Sequence, residues 1–326
     1  MQNKLLNSRP MMDIQDTYTL RGICMLMIIV HHVFKMYPDC PDTIMRWGFL
    51  GTSLFFFASG WGLYCSMNKR AEVDCAYFVS HIKKLLVPYL VIWPITELMY
   101  CIRYPEYFSA LSLCRDFFTL TLPPYPGLWF LKVIFGAYVL SMLTFIIVKS
   151  RLWRLLIVSA FSIVYYVLAW KIIDLPLYWY GGVLCFAIGM WIAAYREKFK
   201  WFLNKKYLIL ALSILAYYLF FFHNLLPLPS RTMLCLAFSL AMVSLVSILN
   251  IANPICDYIG RNSLLFYLWH VSLCELILPP PPEEILRNRW AALMIILVAT
   301  IVLCVLYNYI KKLLYHENSN TNITSR

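Results

Sequence analysis

The residues that could do chemistry sit in one apolar stretch, Tyr18 to Phe34, reading Tyr-Thr-Leu-Arg-Gly-Ile-Cys-Met-Leu-Met-Ile-Ile-Val-His-His-Val-Phe. Arg21 stands near its start, and His31 and His32 near its end. Ionisable side chains are costly inside an apolar span, so they face a bundle interior or a water-filled cavity and mark function. On a helix advancing about 100° per residue, Arg21 and His32 are about three turns apart, on one face, with ~16 Å between them along the axis. His31 falls roughly 80° off that face and is secondary. The alternative is an Arg that snorkels to the interface and a His satisfied by packing. A guanidinium at one end and an imidazole at the other suit a long ligand with an anionic head and a reactive tail.

Those residues need a frame, and composition says which kind. The chain has 326 residues, 62% of them hydrophobic and only 13% charged, which excludes an ordinary soluble domain. Apolar runs recur along its full length. At ~17 residues, the first run is near the lower limit for a spanning helix. The expected fold is an all-α, polytopic transmembrane helix bundle of about ten spans, with no appended soluble domain. The spans are expected at Tyr18–Phe34, Trp47–Ser66, Tyr77–Cys101, Leu128–Val148 and Leu152–Trp170, then at Leu177–Tyr195, Tyr207–Phe222, Thr232–Leu249, Ser263–Leu278 and Trp290–Leu314. Tyr107 to Leu122 reads as an amphipathic or re-entrant segment, closed by the rigid run Leu122 to Gly127. Pro279 to Pro282 forces the last loop out of helix. Residues 1–16 form an N-terminal segment, 17–314 the transmembrane domain and 315–326 a disordered tail.

The net charge of +12 lies in short loops, mostly on one side, so it reads as an orientation signal and not as a nucleic-acid surface. The asymmetry argues for both termini in the cytoplasm, and the expected location is the cell (inner) membrane. No cleavable signal peptide is expected, because the first sixteen residues are polar and no small-residue cleavage site follows the first apolar run. Eleven scattered cysteines include no Cys-x-x-Cys pair and no Cys/His cluster, so neither a metal nor an essential disulfide is expected. The second span carries Gly48, Gly51, Ser53, Ala58, Ser59, Gly60 and Gly62, small residues that let a neighbouring backbone or a ligand come close.

Four stretches in order carry a resemblance. They are Arg21 followed by ten residues and His32; Gly51-Thr52-Ser53-Leu54-Phe55-Phe56-Phe57-Ala58-Ser59-Gly60; Gly127-Leu128-Trp129-Phe130-Leu131; and Ile259-Gly260-Arg261-Asn262-Ser263-Leu264 through Tyr267-Leu268-Trp269-His270. Together they resemble the acyltransferase-3 group of integral membrane O-acyltransferases. Where that family often has Arg-x-x-Arg before a proline, this chain has His81-x-x-Lys84 ahead of Pro88. The charge is kept at Lys84, but the guanidinium fork is not.

The resemblance implies transfer of an acyl group, usually acetyl, from acyl-CoA to a hydroxyl of a surface or lipid-linked polysaccharide. Acyl-CoA would be a co-substrate, with no permanently bound cofactor. The partners would be the lipid bilayer, acyl-CoA and a glycan acceptor, and the chain would act alone or with a separate extracytoplasmic partner. His32 would be the base or the acyl carrier and Arg21 the residue at the CoA entrance. Arg70, His81, Lys83 and Lys84, with Lys69, would meet the CoA phosphates. His31, Ser59, Trp129, Asn262, Ser263 and His270 are candidates for lining the substrate tunnel. Each has a plainer role: Trp129 as packing or interfacial anchor, Asn262 and Ser263 as helix caps. Glu97, Lys132 and Glu275 are read as a structural pair or a catalytic set. The competing class is a multi-span transporter or flippase for a lipid-linked saccharide.

Overall fold

A computed structural model describes residues 12–70, 73–105, 109, 129–198, 205–222, 229–249, 253–278 and 288–321. The expected segment Tyr107 to Leu122 apart from Ser109, the proline run at 279–282 and residues 322–326 lie outside the described residues, while the last helix continues through 315–321, where the sequence predicts a disordered tail. Among the described residues every regular element is helical. The helices are α1 (Ile14–Phe34), α2 (Trp47–Asn68), α3 (Cys75–Arg103), α4 (Trp129–Ile147), α5 (Arg151–Val167) and α6 (Leu184–Ala194). They are followed by α7 (Lys206–Phe222), α8 (Pro229–Leu249), α9 (Pro254–Arg261), α10 (Ser263–Ile277) and α11 (Arg289–Thr321). A four-residue helical turn, Asp42–Met45, separates α1 from α2.

Local chemistry sets several of the starts. Asp13 caps α1 by accepting from the Asp16 N–H at 2.7 Å, and the Asp16 carboxylate in turn accepts from the Asp13 N–H at 3.1 Å. Asp74 caps α3 through the Tyr77 N–H, and Asn253 caps α9 just ahead of Pro254. Helix α3 runs through both Pro88 and Pro94 without ending.

A helix forms over each of the ten expected spans. Seven are long and apolar enough to cross a membrane on length and composition: Ile14–Phe34, Cys75–Ile102, Trp129–Ile147, Arg151–Ile172, Leu177–Ala194, Arg231–Leu249 and Arg289–Leu314. Lys206–Leu219 and Ser263–Cys274 are apolar but shorter. The remaining one, α2, has 22 residues, but its glycines, serines and threonine dilute its hydropathy. Its position explains that composition. From Leu50 to Gly60 every α2 residue except Phe55 is buried, so α2 meets protein on nearly all sides.

Helix α1 is the axis of the bundle. It packs against α2, α8, α9, α10 and α11, while α2 in turn packs against α4, α6 and α8. The crossings are close enough for backbone to touch backbone. A Cβ on Gly22 of α1 would run into the Cys256 carbonyl of α9, and one on Gly260 of α9 into the Tyr18 carbonyl of α1. Helices α2 and α6 repeat the arrangement, with Gly60 against the Phe186 carbonyl and Gly189 against that of Phe57. Small residues permit this approach, and dispersion between the backbones then holds the helices together without help from water.

Gly60→Ala is therefore expected to destabilise the bundle by about 1–3 kcal/mol, since the facing Phe186 carbonyl is helix main chain and cannot move aside. Gly136→Ala, where nothing lies within 4 Å, is expected to be neutral or slightly stabilising. The unfolding midpoints of the two variants in one detergent check the pair; equal midpoints would contradict the close crossing.

Candidate functional site

Helix α1 presents Arg21 and His32, both half-buried, to a continuous wall of aromatic rings. The Arg21 guanidinium lies over the Phe55 ring, 5.9 Å from its centroid. Phe55 meets Phe130 edge-on at 5.3 Å, Phe130 meets Tyr267 at 5.4 Å, and Tyr267 meets His270 at 5.7 Å. His270 then meets His32 edge-on at 5.3 Å. Side chains from α2, α4 and α10 thus connect the two ends of the α1 face. Phe55 keeps accessible surface in a stretch of α2 that is otherwise buried, which marks it as lining the same space as Arg21.

The electrostatics at the Arg21 end are unbalanced. Among the described residues no carboxylate pairs with Arg21, and its buried Nε finds no hydrogen-bond partner. Gly62 leaves room for the guanidinium, since a Cβ there would stand 3.3 Å from an Arg21 terminal nitrogen. Ser59, one turn along α2 from Phe55, is wholly buried with its hydroxyl unpartnered among the described residues.

At the other end three imidazoles gather. His31 lies 5.1 Å from His32, but its own ring covers Gly48 and its Nδ1 lies 3.4 Å from the Ile44 carbonyl. It braces the start of α2. His270 is wholly buried, and Lys35 lies close enough to act electrostatically on both His32 and His270. The three rings do not form a metal site: among the described residues no group of three or more His, Cys, Asp or Glu side chains could hold an ion.

The other sequence candidates fall into separate groups. Arg70 stacks over Tyr77 at 4.5 Å, and Tyr77 lies ring to ring with His81 at 4.0 Å, its hydroxyl donating to Ser66. Lys83 and Lys84 follow as exposed residues on α3. Because α1 and α2 run antiparallel, with Gly48 beside His31 and Gly62 beside Arg21, the residues after Asn68 lie at the end of the bundle where α1 begins. The basic group therefore sits at the Arg21 end, without a described contact to Arg21. Trp129 packs on Phe130, Tyr178 and Trp179, and Lys132 lies over the Trp179 ring at 5.6 Å. Glu97 is buried in α3, and the Glu275 side chain lies outside the described residues.

Asn262 and Ser263 join α9 to α10. Asn262 stands at the N-cap position of α10, yet its side chain makes no capping bond there. It donates instead to the Tyr258 carbonyl at 2.9 Å and accepts from Asn308 of α11 at 2.8 Å. Ser263 is buried. Nearby, Asp257 accepts from Thr19 at 2.9 Å and from Gln15, so α9 is tied to α1 by polar bonds as well as by the glycine contact. Phe55, Phe130 and Tyr267 are the members of the wall that sequence reasoning left out as site residues. Tyr267 lies three residues before His270, on the same side of a helix, and that spacing is the signal that could have found it.

With this geometry in view, the acyltransferase-3 family model, described as an acyltransferase domain, matches residues 19–309. No curated protein and no solved structure matches the chain.

Asn262→Ala is expected to lower stability by about 1–2 kcal/mol, because it removes two hydrogen bonds that tie three helices. In a double-mutant cycle with Asn308→Ala, a coupling of roughly 0.5–1.5 kcal/mol is expected. A coupling near zero, read from thermal midpoints, would mean the two amides do not pair.

Proposed function

The chain belongs to the acyltransferase-3 family, and from that premise we propose that it transfers an acetyl group from acetyl-CoA to a glycan hydroxyl. At family level it is a multi-pass membrane acyltransferase. What supports the finer reading is the aromatic run from Arg21 to His32. A cation in an apolar interior without a carboxylate partner is a strong anion site, because its alternative is an uncompensated charge. The phosphates of CoA supply such an anion, and Lys69, Arg70, Lys83 and Lys84 extend the positive surface at that end. The pantetheine arm, long and mostly apolar, suits a passage walled by Phe55, Phe130 and Tyr267.

At the far end the thioester carbonyl meets His32. The acceptor hydroxyl adds to the carbonyl carbon while its proton passes to a ring nitrogen of His32. The C–S bond then breaks, and the departing thiolate takes that proton back from His32. The covalent variant uses the same atoms in a different order: His32 displaces the thiolate and carries the acetyl group, the hydroxyl oxygen then displaces His32 from the carbonyl carbon, and the hydroxyl proton ends on the CoA thiolate. Either route needs His32 and returns it unchanged.

His32→Ala is expected to lower kcat by at least about 10²-fold at unchanged membrane abundance. Arg21→Gln is expected to raise the KM for acetyl-CoA by about tenfold or more through the lost charge-assisted bond. The measurement is incorporation of radiolabelled acetyl-CoA into surface glycan isolated from the source cells, with the protein in proteoliposomes. Full activity of the His32 variant would overturn the role. Movement of the saccharide across the vesicle without acetylation would favour a transporter.

A further inference from the structure

His270 is far from α1 in sequence and wholly buried, yet its ring meets His32 at 5.3 Å with the planes 64° apart. Its Nδ1 lies 2.8 Å from the Phe266 carbonyl, one turn back along α10. A carbonyl can only accept, so Nδ1 carries the hydrogen and Nε2 of the neutral ring carries a lone pair. Main chain within a helix makes that contact, so the orientation of the ring is set by α10 itself. Nε2 is buried and finds no hydrogen-bond partner among the described residues. The ring of His32 likewise makes no hydrogen bond to any described residue. Two adjacent polar rings, one with an acceptor fixed toward the interior and the other with an N–H to place, complement each other.

We propose that His270 is the positioning residue for His32: its Nε2 accepts the hydrogen bond of the His32 N–H and so holds His32 in a single tautomer. The other nitrogen of His32 then carries its lone pair toward the acyl group. This rests on the reading of His32 as base or acyl carrier. A base oriented by a third group is the general arrangement for activating a nucleophile, and here the orienting group is a neutral imidazole instead of a carboxylate. A neutral partner is the cheaper choice in an apolar interior, where a buried carboxylate would need its own compensation. Such bonds also tighten when substrate is in place, consistent with two rings that touch but are not aligned for a direct bond.

The test uses the full-length protein in proteoliposomes, with radiolabelled acetyl-CoA and surface glycan isolated from the source cells as probes. His270→Asn keeps a donor near the Phe266 carbonyl but has no distal acceptor, and His270→Gln sets an amide oxygen close to the place of Nε2. The expected result is a fall in kcat of about 10²-fold for His270→Asn, with KM for acetyl-CoA within about twofold of the parent. His270→Gln should recover kcat to within about tenfold of the parent. The double variant with His32→Ala should be no slower than His32→Ala alone, because one residue acts through the other. The proposal is overturned if His270→Asn keeps the parent kcat, if His270→Gln does no better than His270→Asn, or if the loss follows the amount of folded protein. A fully active His32→Ala would overturn the underlying reading together with this one. An inactive His32→Ala beside an active His270→Asn would remove only the positioning role.

Discussion

Everything at the site depends on how closely α1 is enclosed. Its backbone touches that of α9 through Gly22 and Gly260, and α2 is pressed against α6 in the same way through Gly60 and Gly189. Because these contacts are main chain to main chain, they leave little slack for the helices to slide or rotate. A helix held in this manner can carry Arg21 and His32 on one face and keep that face aimed. Polar bonds reinforce the enclosure at the start of α1, where Thr19 and Gln15 both donate to Asp257 of α9.

Enclosure gives the ionisable groups their character. In water an arginine or a histidine is easily satisfied, but between helices each polar atom needs a named partner. Arg21 and His270 each keep a buried nitrogen that no described protein group satisfies. Thr52, Ser141, Thr144 and Ser162 bond back to their own helices, whereas Ser59, Ser239, Ser244 and the Trp269 indole have no partner among the described residues either; what sets Arg21 and His270 apart is that they can carry charge or exchange a proton. They lie at the two ends of one aromatic wall. The wall is aromatic throughout and joins the Arg21 guanidinium to the His32 and His270 rings.

The wall also shows why α2 is composed as it is. A lipid-facing span is enriched in large apolar residues, as on α5, where Leu152, Trp153 and Phe161 are exposed. Helix α2 instead gives its surface to neighbouring helices, so its glycines and serines are packing devices, and its one accessible central residue, Phe55, lines the site.

The membrane-protein class, the helix over each apolar run and the shared face of Arg21 and His32 were legible in the sequence, because each follows from local periodicity and composition. Membership of the acyltransferase family was legible too, through four short stretches in order. Which residues join those stretches was not. His270 comes to His32 only because α10 lies beside α1, and that adjacency is a choice among many helix pairings of similar hydropathy. Asn262 could be named as a cap from its residue type, yet its amide serves α11 through Asn308. Hydropathy determines that a segment enters the membrane, but says nothing of its neighbours there, since lipid and protein interiors are about equally apolar. The partners are selected by shape and by the few polar groups that must be paired, and those are properties of the assembled bundle.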